Sequence, residues 1–230
     1  MLVFAAISPH PPILLPTVGS KEDREKVKKT LDALDLLKKE FEKTKADIII
    51  ISAPHPDWGI KVPLYFLISK IKNQNAKLQF KIQNYQSPKN ILIDSSCNFI
   101  IYPILTSADS PQQHYEWGKK FYLKIKNCKL KIALVASGDL SHCLKTDGPY
   151  GFNPDGPKFD KELIERLKKK DIKNILMLDK KFSEAGECGL RSFCFLLGIL
   201  EASGLNWQPK ILSYEWPFGV GYLVSSIKLS

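Results

Sequence analysis

Short apolar runs alternate with longer amphipathic segments along this chain, which is the pattern of an α/β protein. Residues 2–8 and 47–52 are almost wholly apolar, as strands are when a parallel sheet buries both of their faces. Residues 21–45, which lie between them, repeat apolar side chains every three or four positions and carry lysine and glutamate on the opposite side. The sequence therefore predicts two parallel strands that form a pair and are joined by a right-handed helical crossover.

The rest of the chain continues this alternation. Apolar runs predict further strands over residues 78–82, 99–105, 131–136, 211–214 and 221–227. Helical spacing predicts helices over residues 112–124 and 160–170, and a core-facing helical stripe over residues 190–200. Residues 62–71 are mainly apolar, and their pattern fits either a strand or a helix.

The composition fits a globular protein with one core. The chain has 230 residues, of which 44% are hydrophobic, and we expect residues 1–230 to form a single domain. The apolar run at residues 2–7 is too short for a targeting segment, and no run reaches the roughly 18 apolar residues that a membrane span needs. We therefore expect a cytoplasmic protein without a membrane partner.

Cysteine content and charge argue against three further classes of protein. Five cysteines without a CxxC pair argue against a disulfide framework and against a zinc site made of cysteine alone. The formal net charge of +10 comes mainly from lysine, since arginine occurs only at Arg24, Arg166 and Arg191. Lysine lacks the planar fork with which arginine recognises phosphate, so this charge predicts a solvated surface and no nucleic-acid partner.

Histidines follow three of the predicted strands. The stretch "SPH" places His10 after the first strand, "APH" places His55 after the second, and "ASGDLSH" places Asp139 and His142 after a later one. Because the carboxyl ends of parallel strands meet at one edge of a sheet, we expect these side chains to lie close together. His114 differs, because it lies in a predicted helix.

Two imidazoles and one carboxylate with open coordination positions form the site of non-haem Fe(II) enzymes, and a related set holds catalytic Zn²⁺. We predict His10 and His55 as the imidazole ligands. Glu187 is the predicted carboxylate, because it lies between two glycines just before a core helix. Asp57 and Asp139 are rival ligands. Glu187 could instead stabilise the start of the helix that follows it.

Proton transfer and substrate contacts have their own candidates. His142 suits a general acid or base at neutral pH, and Asp139 could orient its ring or cap the turn between them. Cys188 is a candidate metal ligand or nucleophile, although a cysteine is more commonly a small buried apolar residue. In the turn-rich segment after His142, the side chains of Tyr150 and Phe152 could line a substrate site.

Several stretches taken together resemble one family. They are "SPHPPILLPTVG", "APH", "VPLYFL", "ASGDLSH", "DGPYGFNPDGPKFD", "AGECGLRSF" and "FGVGYLV". In these motifs the chain is similar to the catalytic subunits of class III extradiol ring-cleavage dioxygenases, the LigB-like superfamily. More narrowly, it resembles the LigB-like domain of AmmeMemoRadiSam system proteins, which are related to the Memo proteins. The resemblance implies a three-layer αβα fold with a mixed, largely parallel central sheet.

The resemblance also implies a chemistry. Dioxygenases of this superfamily bind Fe(II) through two histidines and a glutamate, which correspond to His10, His55 and Glu187, and their acid/base histidine corresponds to His142. The implied reaction is the cleavage of a small catechol-like aromatic ring with O₂. Related enzymes commonly associate with a second subunit, so a homo-oligomer or a second subunit is an implied partner.

Two departures from the dioxygenase pattern support alternative hypotheses. In Memo-type relatives the third ligand is a cysteine that precedes a glycine, and Cys188 precedes Gly189 here. Trp58 stands where the dioxygenases have a further histidine near the metal. The first alternative is a Memo-like protein that binds iron, zinc or copper and serves in an uncharacterised oxidation, or in an interaction, beside a radical-SAM partner. The second is metal-assisted hydrolysis.

Overall fold

The structure is a computed structural model, and it describes residues 1–68, 92–93 and 100–230. Its strands are β1 (Leu2–Ser8), β2 (Ile48–Ala53), β3 (Leu92–Ile93), β4 (Ile100–Leu105), β5 (Ile132–Ser137), β6 (Trp207–Glu215) and β7 (Tyr222–Leu229). Its helices are α1 (Lys21–Lys26), α2 (Lys28–Thr44), α3 (Trp58–Ile68), α4 (Pro111–Ile125), α5 (Asp155–Lys168), α6 (Ile172–Ile175), α7 (Leu178–Lys181) and α8 (Leu190–Ser203). The predicted strand at residues 78–82 lies outside the described residues.

One mixed sheet organises the described part of the chain. Its strand order is β3-β4-β2-β5-β1-β7-β6. The four central strands, β4, β2, β5 and β1, run parallel to one another. The outer strands β3, β7 and β6 pair antiparallel with their neighbours. The expected mixed, largely parallel sheet is therefore confirmed.

Helices cover both faces of this sheet. Along β2, Ile49 and Ile51 belong to the core on the side of α2 and α3, whereas Ile50 belongs to the core on the side of α5 and α8. This alternation is what a strand buried on both faces requires, because successive side chains point to opposite sides. The three-layer αβα architecture is confirmed.

The strands β1 and β2 are not neighbours, contrary to the predicted pair. β5 lies between them and is parallel to both, with Ile7 paired to Ala136 and Ile51 paired to Val135. The hydrophobic pattern fixes which segments are buried strands but not their order across the sheet, which depends on pairing between distant segments. All three strands still end at the same edge.

The helix predicted over residues 21–45 is divided at Val27. Its backbone leaves the helical region there, with φ −102° and ψ 15°, so α1 ends and α2 begins. Ser20 and Asp23 form a capping box at the start of α1. The side chain of Val27 is fully buried, which fits a chain that bends to keep this apolar residue on the core.

The ambiguous apolar segment at residues 62–71 is helical as far as it is described, because α3 extends to Ile68. The helix is buried almost all round, which explains why no amphipathic period marks it. The short helices α6 and α7 were not predicted. Within the described ranges, no helix is both long and apolar enough to cross a membrane.

Candidate metal centre

Three strand ends adjoin at the carboxyl edge of the sheet. His10 follows β1, His55 follows β2, and Asp139 and His142 follow β5, which lies between the other two strands. The ring centroids of His10 and His55 are 5.5 Å apart, with the rings inclined by 78°. The structure thus brings together the side chains that the sequence places after strand ends.

His10 is buried and has one ring nitrogen left for a ligand. Its Nδ1 lies 3.0 Å from the Ser137 hydroxyl, while its Nε2 lies 3.6 Å from Sγ of Cys188 and 3.7 Å from Oδ2 of Asp139. Burial, with a smaller effect of nearby His55, lowers the pKa of His10 to about 3. The ring is therefore neutral at physiological pH, which is the form that binds metals.

Cys188 reaches His10 because two backbone segments pack tightly. A Cβ on Gly138, just after β5, would lie 2.1 Å from Cα of Gly189, just before α8. The backbone N–H of Asp139 donates to Sγ of Cys188 at 3.3 Å. Burial and the neighbouring Asp139 carboxylate raise the pKa of the Cys188 thiol, so a bound cation is needed to hold it as a thiolate.

The described residues contain two groups of side chains with metal-ligand geometry. His10, His55 and Cys188 each offer one ligand atom, and these atoms lie within 4.8 Å of one another. Asp139, His142 and Cys188 form a second group by the same measure. Cys188 belongs to both groups, so its sulfur lies at the centre of the cluster.

Glu187 is in neither group, although the sequence made it the preferred carboxylate ligand. Its Oε2 accepts a hydrogen bond of 2.6 Å from the backbone N–H of Leu190, and its Oε1 lies 3.3 Å from the Arg191 guanidinium. Burial raises the pKa of its carboxyl. The structure therefore uses Glu187 at the start of α8 and brings Cys188, the alternative third ligand, to the histidines.

Asp139 is buried close to His10, which follows β1, and to His142, which follows β5. Its Oδ1 accepts a hydrogen bond of 3.0 Å from the backbone N–H of His10, which ties the end of β5 to the end of β1. Burial raises the pKa of Asp139 to about 6, against the opposing effects of that hydrogen bond and of His142. Among the described residues, this carboxylate accepts from the His10 backbone, and Nε2 of His142 makes no hydrogen bond to it.

His142 has a buried nitrogen without a partner. Its Nε2 makes no hydrogen bond to any described residue, whereas its backbone N–H donates to Gly186 O at 3.3 Å. Burial lowers the pKa of the ring. Its centroid lies 5.3 Å from that of Tyr150, which is 69% exposed. Phe152 lies farther along the same segment, in a bridge with Leu144.

The His55 side of the centre is open. His55 is exposed, and Trp58, three residues later, is 45% exposed with Lys61 Nζ 5.9 Å from its ring centroid. Asp57, a rival ligand in the sequence, is exposed and forms an ion pair of 3.1 Å with Lys61. A small molecule can therefore approach the cluster from this side.

His114 has a structural role. It is buried in α4, where its Nε2 accepts from the backbone N–H of Ser107 at 3.2 Å and its Nδ1 donates to Ser110 O at 3.0 Å. Both ring nitrogens are therefore used by the loop that precedes the helix.

Comparison with known proteins identifies the family. A family model described as the catalytic LigB subunit of aromatic ring-opening dioxygenase matches residues 55–225. The chain belongs to this LigB family. The predicted resemblance to this family is therefore confirmed.

Two individual proteins extend the LigB comparison. Protein CA_C1420 of Clostridium acetobutylicum is 30% identical over 268 residues, which cover 96% of this chain and 56% of that protein. The chain thus spans about half the length of the curated relative it matches. The crystal structure of the uncharacterized protein JW3007 from Escherichia coli K12 matches with a TM-score of 0.53 and 12% identity, over 98% of this chain and 99% of that one. The latter match shows a shared fold.

Ser137 is a site residue that the sequence analysis did not identify. It is fully buried at the end of β5, and its hydroxyl meets Nδ1 of His10. The available signal was the change from apolar to polar residues in "VASGD", which we interpreted only as the start of a turn. Such a local pattern does not show which distant residue the serine hydroxyl will contact.

The LigB family implies a metal ion, and the residues of this centre fit one. Two imidazoles and a thiol converge within 4.8 Å, and imidazole with thiolate suits iron, zinc and copper. The Ser137 hydroxyl forms a hydrogen bond with Nδ1 of His10. Metal-binding histidines commonly have such a partner on one ring nitrogen, which leaves the other nitrogen, here Nε2, to bind the ion. The unpartnered Nε2 of His142 adds a further donor beside the cluster.

Proposed function

We propose that this protein is a metal-dependent oxidoreductase of the extradiol type, which uses O₂ to open the ring of a small catechol-like aromatic. The convergence of His10, His55 and Cys188 beside His142, in a chain of the LigB family, supports this proposal. Fe(II) is the proposed cofactor. Cys188 takes the place of Glu187 as the proposed third ligand, because the Glu187 carboxylate already accepts from Leu190 N–H and pairs with an arginine.

A bound Fe(II) would supply Lewis acidity for the two oxygens of a catechol and redox capacity toward O₂. His10, His55 and Cys188 would hold it. The Ser137 hydroxyl fixes the tautomer of His10, and the hydrogen bond from the His10 backbone to Asp139 fixes the position of its main chain. These contacts preorganise the donors, which lowers the entropy cost of binding an ion.

The proposed general base is His142. Its unpartnered Nε2 can accept the proton of a substrate hydroxyl and later return it to the product. The Asp139 carboxylate, which belongs to the same group of ligand atoms, stabilises the imidazolium formed in between. Tyr150, whose ring lies next to His142, is proposed to flank the aromatic substrate. Phe152, the other predicted substrate contact, lines a groove beside α5.

The decisive experiment measures O₂ uptake by protein loaded anaerobically with Fe(II) and mixed with a panel of catechols. We expect O₂ consumption and the yellow colour of a ring-opened product. His142→Asn should retain the metal and lose about 10²- to 10⁴-fold in rate, as expected for the loss of a general base. Absence of O₂ uptake with every catechol, in protein that holds one iron per chain, would reject the proposal.

A second candidate function follows from the position of Cys188 beside His10. A thiolate with two imidazoles also suits copper and zinc, so the protein could be a Memo-like metal-binding protein with an uncharacterised oxidase role or an interaction role. Its proposed partner is a radical-SAM enzyme. This candidate predicts that the protein binds copper or zinc, consumes no O₂ with catechols, and forms a complex with that enzyme in analytical ultracentrifugation.

Further proposals concern the whole molecule. We propose that residues 1–230 form one domain, that the protein is cytoplasmic, and that it forms a homo-oligomer or binds a second subunit. A nucleic-acid partner is not proposed. Light scattering of the purified protein tests the oligomer, and limited proteolysis tests the single domain.

A further inference from the structure

A groove outside the metal centre lies between α5 and the end of β6. Its cavity volume is about 450 Å³, within the range of small-molecule sites. One wall is a face of α5, and the other is formed by Tyr214 and Trp216, with Phe152 at one end. His10, His55, Asp139, His142 and Cys188 do not line this groove.

The wall formed by α5 is one continuous face of that helix. Lys161, Ile164, Glu165 and Lys168 line the groove and follow one another at the spacing of a single helical face. The fully buried Phe159 lies on a different face, which packs on the core, although Ile164 of the groove face also contacts that core. Packing of α5 on the sheet therefore leaves the charged residues of the groove face, Lys161, Glu165 and Lys168, exposed.

The aromatic side chains of the groove are unusually exposed. Phe152 is 53% exposed and Trp216 is 44% exposed, although large aromatic side chains are normally mostly buried. The backbone of Phe152 forms a β-bridge with that of Leu144, and Trp216 follows β6 directly. Tyr214 is fixed by a hydrogen bond of 2.7 Å from its hydroxyl to Asp160. These rings form an exposed apolar surface against which the ring of a flat ligand can pack.

The charge of the groove is positive by one unit. Lys161 and Lys168 contribute two ammonium groups, and Glu165 contributes one carboxylate. Among the described residues, the ion pairs of α5 run through Glu162 and Arg166, and neither groove lysine takes part in one. The net charge matches a ligand with a single negative charge better than a dianionic phosphate.

We propose that this groove binds a small aromatic carboxylate. The ring of the ligand lies against Phe152 and Trp216, and its carboxylate is bound by Lys161 and Lys168. The site is separate from the metal centre and needs no metal, so the proposal does not depend on the proposed oxidoreductase function.

The test is isothermal titration of the metal-free protein with 3-phenylpropionate at low salt. Two comparison ligands separate the contributions: 3-phenylpropanol has the ring without the charge, and hexanoate has the charge without the ring. We expect saturable binding of 3-phenylpropionate and about tenfold weaker binding of each comparison ligand. Raising the ionic strength from about 0.02 M to about 0.3 M should weaken binding of the acid and leave that of the alcohol unchanged.

Matched variants locate the site. Lys168→Met should weaken 3-phenylpropionate binding several-fold, whereas Lys169→Met, the same change on an exposed residue that does not line the groove, should have no effect. Trp216→Leu should weaken binding of both aromatic ligands, and circular dichroism should show that all three variants keep their fold. The proposal is overturned by the absence of saturable binding up to about 10 mM, by equal effects of the two lysine variants, or by binding that is lost in His55→Ala but kept in Trp216→Leu.

Discussion

Nε2 of His10 lies 3.6 Å from Sγ of Cys188, although 178 positions separate these residues in the chain. Gly138 and Gly189 pack tightly beside this contact: a Cβ on Gly138 would meet the backbone of Gly189, and a Cβ on Gly189 would meet the Phe193 ring. The His10 nitrogen and the Cys188 sulfur, together with the nearby imidazole of His55, are therefore close enough to bind one ion. Imidazole and thiolate are ligands that suit iron, zinc and copper.

The first prediction separates the two candidate third ligands. Cys188→Ser should lose most of its bound iron, zinc or copper, because a serine hydroxyl stays neutral and binds these ions poorly. Glu187→Gln should retain the metal, since its amide oxygen can still accept from the Leu190 N–H. Elemental analysis after dialysis measures both, with Cys128→Ser as a matched cysteine control outside the centre. Metal loss in Glu187→Gln with retention in Cys188→Ser would assign the ligand to Glu187.

A second prediction concerns Ser137, which contacts His10, one of the proposed metal ligands. Ser137→Ala should lower metal affinity about 10- to 100-fold, because the tautomer and direction of the His10 ring are no longer fixed. Competition with a chromogenic chelator measures this affinity. Ser226→Ala, also a buried serine of the sheet, should leave it unchanged. Equal affinity in the two variants would show that the Ser137 hydroxyl does not position the ring.

The sequence predicted the sheet and its edge more fully than it predicted the centre. The runs that became β1, β2 and β5 are buried on both faces, so their apolar pattern identifies them without reference to neighbours. Because parallel strands end at one edge, the positions of His10, His55 and His142 followed from the same pattern. The order of the strands did not follow, since β5 enters between β1 and β2 by pairing over long distances.

The identity of the third ligand could not be derived from the sequence for a different reason. Glu187 and Cys188 are consecutive residues in a loop, where no 2- or 3.6-residue period indicates the direction of a side chain. Only packing decides that Cys188 lies on His10 and Glu187 lies on the start of α8. The break between α1 and α2 at Val27 could not be predicted from the local sequence either. Strong helix formers lie on both sides of Val27, and only the burial of its side chain accounts for the bend.

The third prediction tests the close contact of the two glycines. Gly138→Ala should destabilise the protein by about 1–3 kcal/mol or more, because its Cβ would meet the backbone of Gly189 and cannot be accommodated by a side-chain movement. Gly151→Ala is the control: it has open space but a φ of +72°, and should cost about 1–2 kcal/mol through backbone strain alone. Urea unfolding measures both. A smaller effect at Gly138 than at Gly151 would contradict the tight packing.

The fourth prediction concerns Asp160, which accepts hydrogen bonds from Ser141 N–H and Tyr214 O–H. Burial, which outweighs these bonds, raises its pKa to about 7, whereas an unfolded Asp titrates near about 3.9. Since the folded state binds the proton more tightly, the stability that protonated Asp160 contributes is fully present below about pH 4 and is lost as pH rises to about 7. Asp160→Asn should therefore gain stability relative to the wild type as pH increases over this window.

Urea midpoints at about pH 5 and about pH 8 measure this difference on either side of the folded pKa. Asp35→Asn, a change at an exposed position of α2, should follow the wild type at both pH values. Parallel pH curves for wild type and Asp160→Asn would show that the Asp160 carboxyl titrates normally in the folded protein.

The proposed donors of the metal centre enter the chain at positions 10, 55 and 188. A ribosome therefore produces both imidazoles long before the thiol, and β5, which separates their strands, is also made in between. A nascent chain has no complete set of proposed donors until the segment that carries Cys188 has been translated. With this ligand set, all three donors can hold the proposed ion only after that segment has been made and has packed against the end of β1.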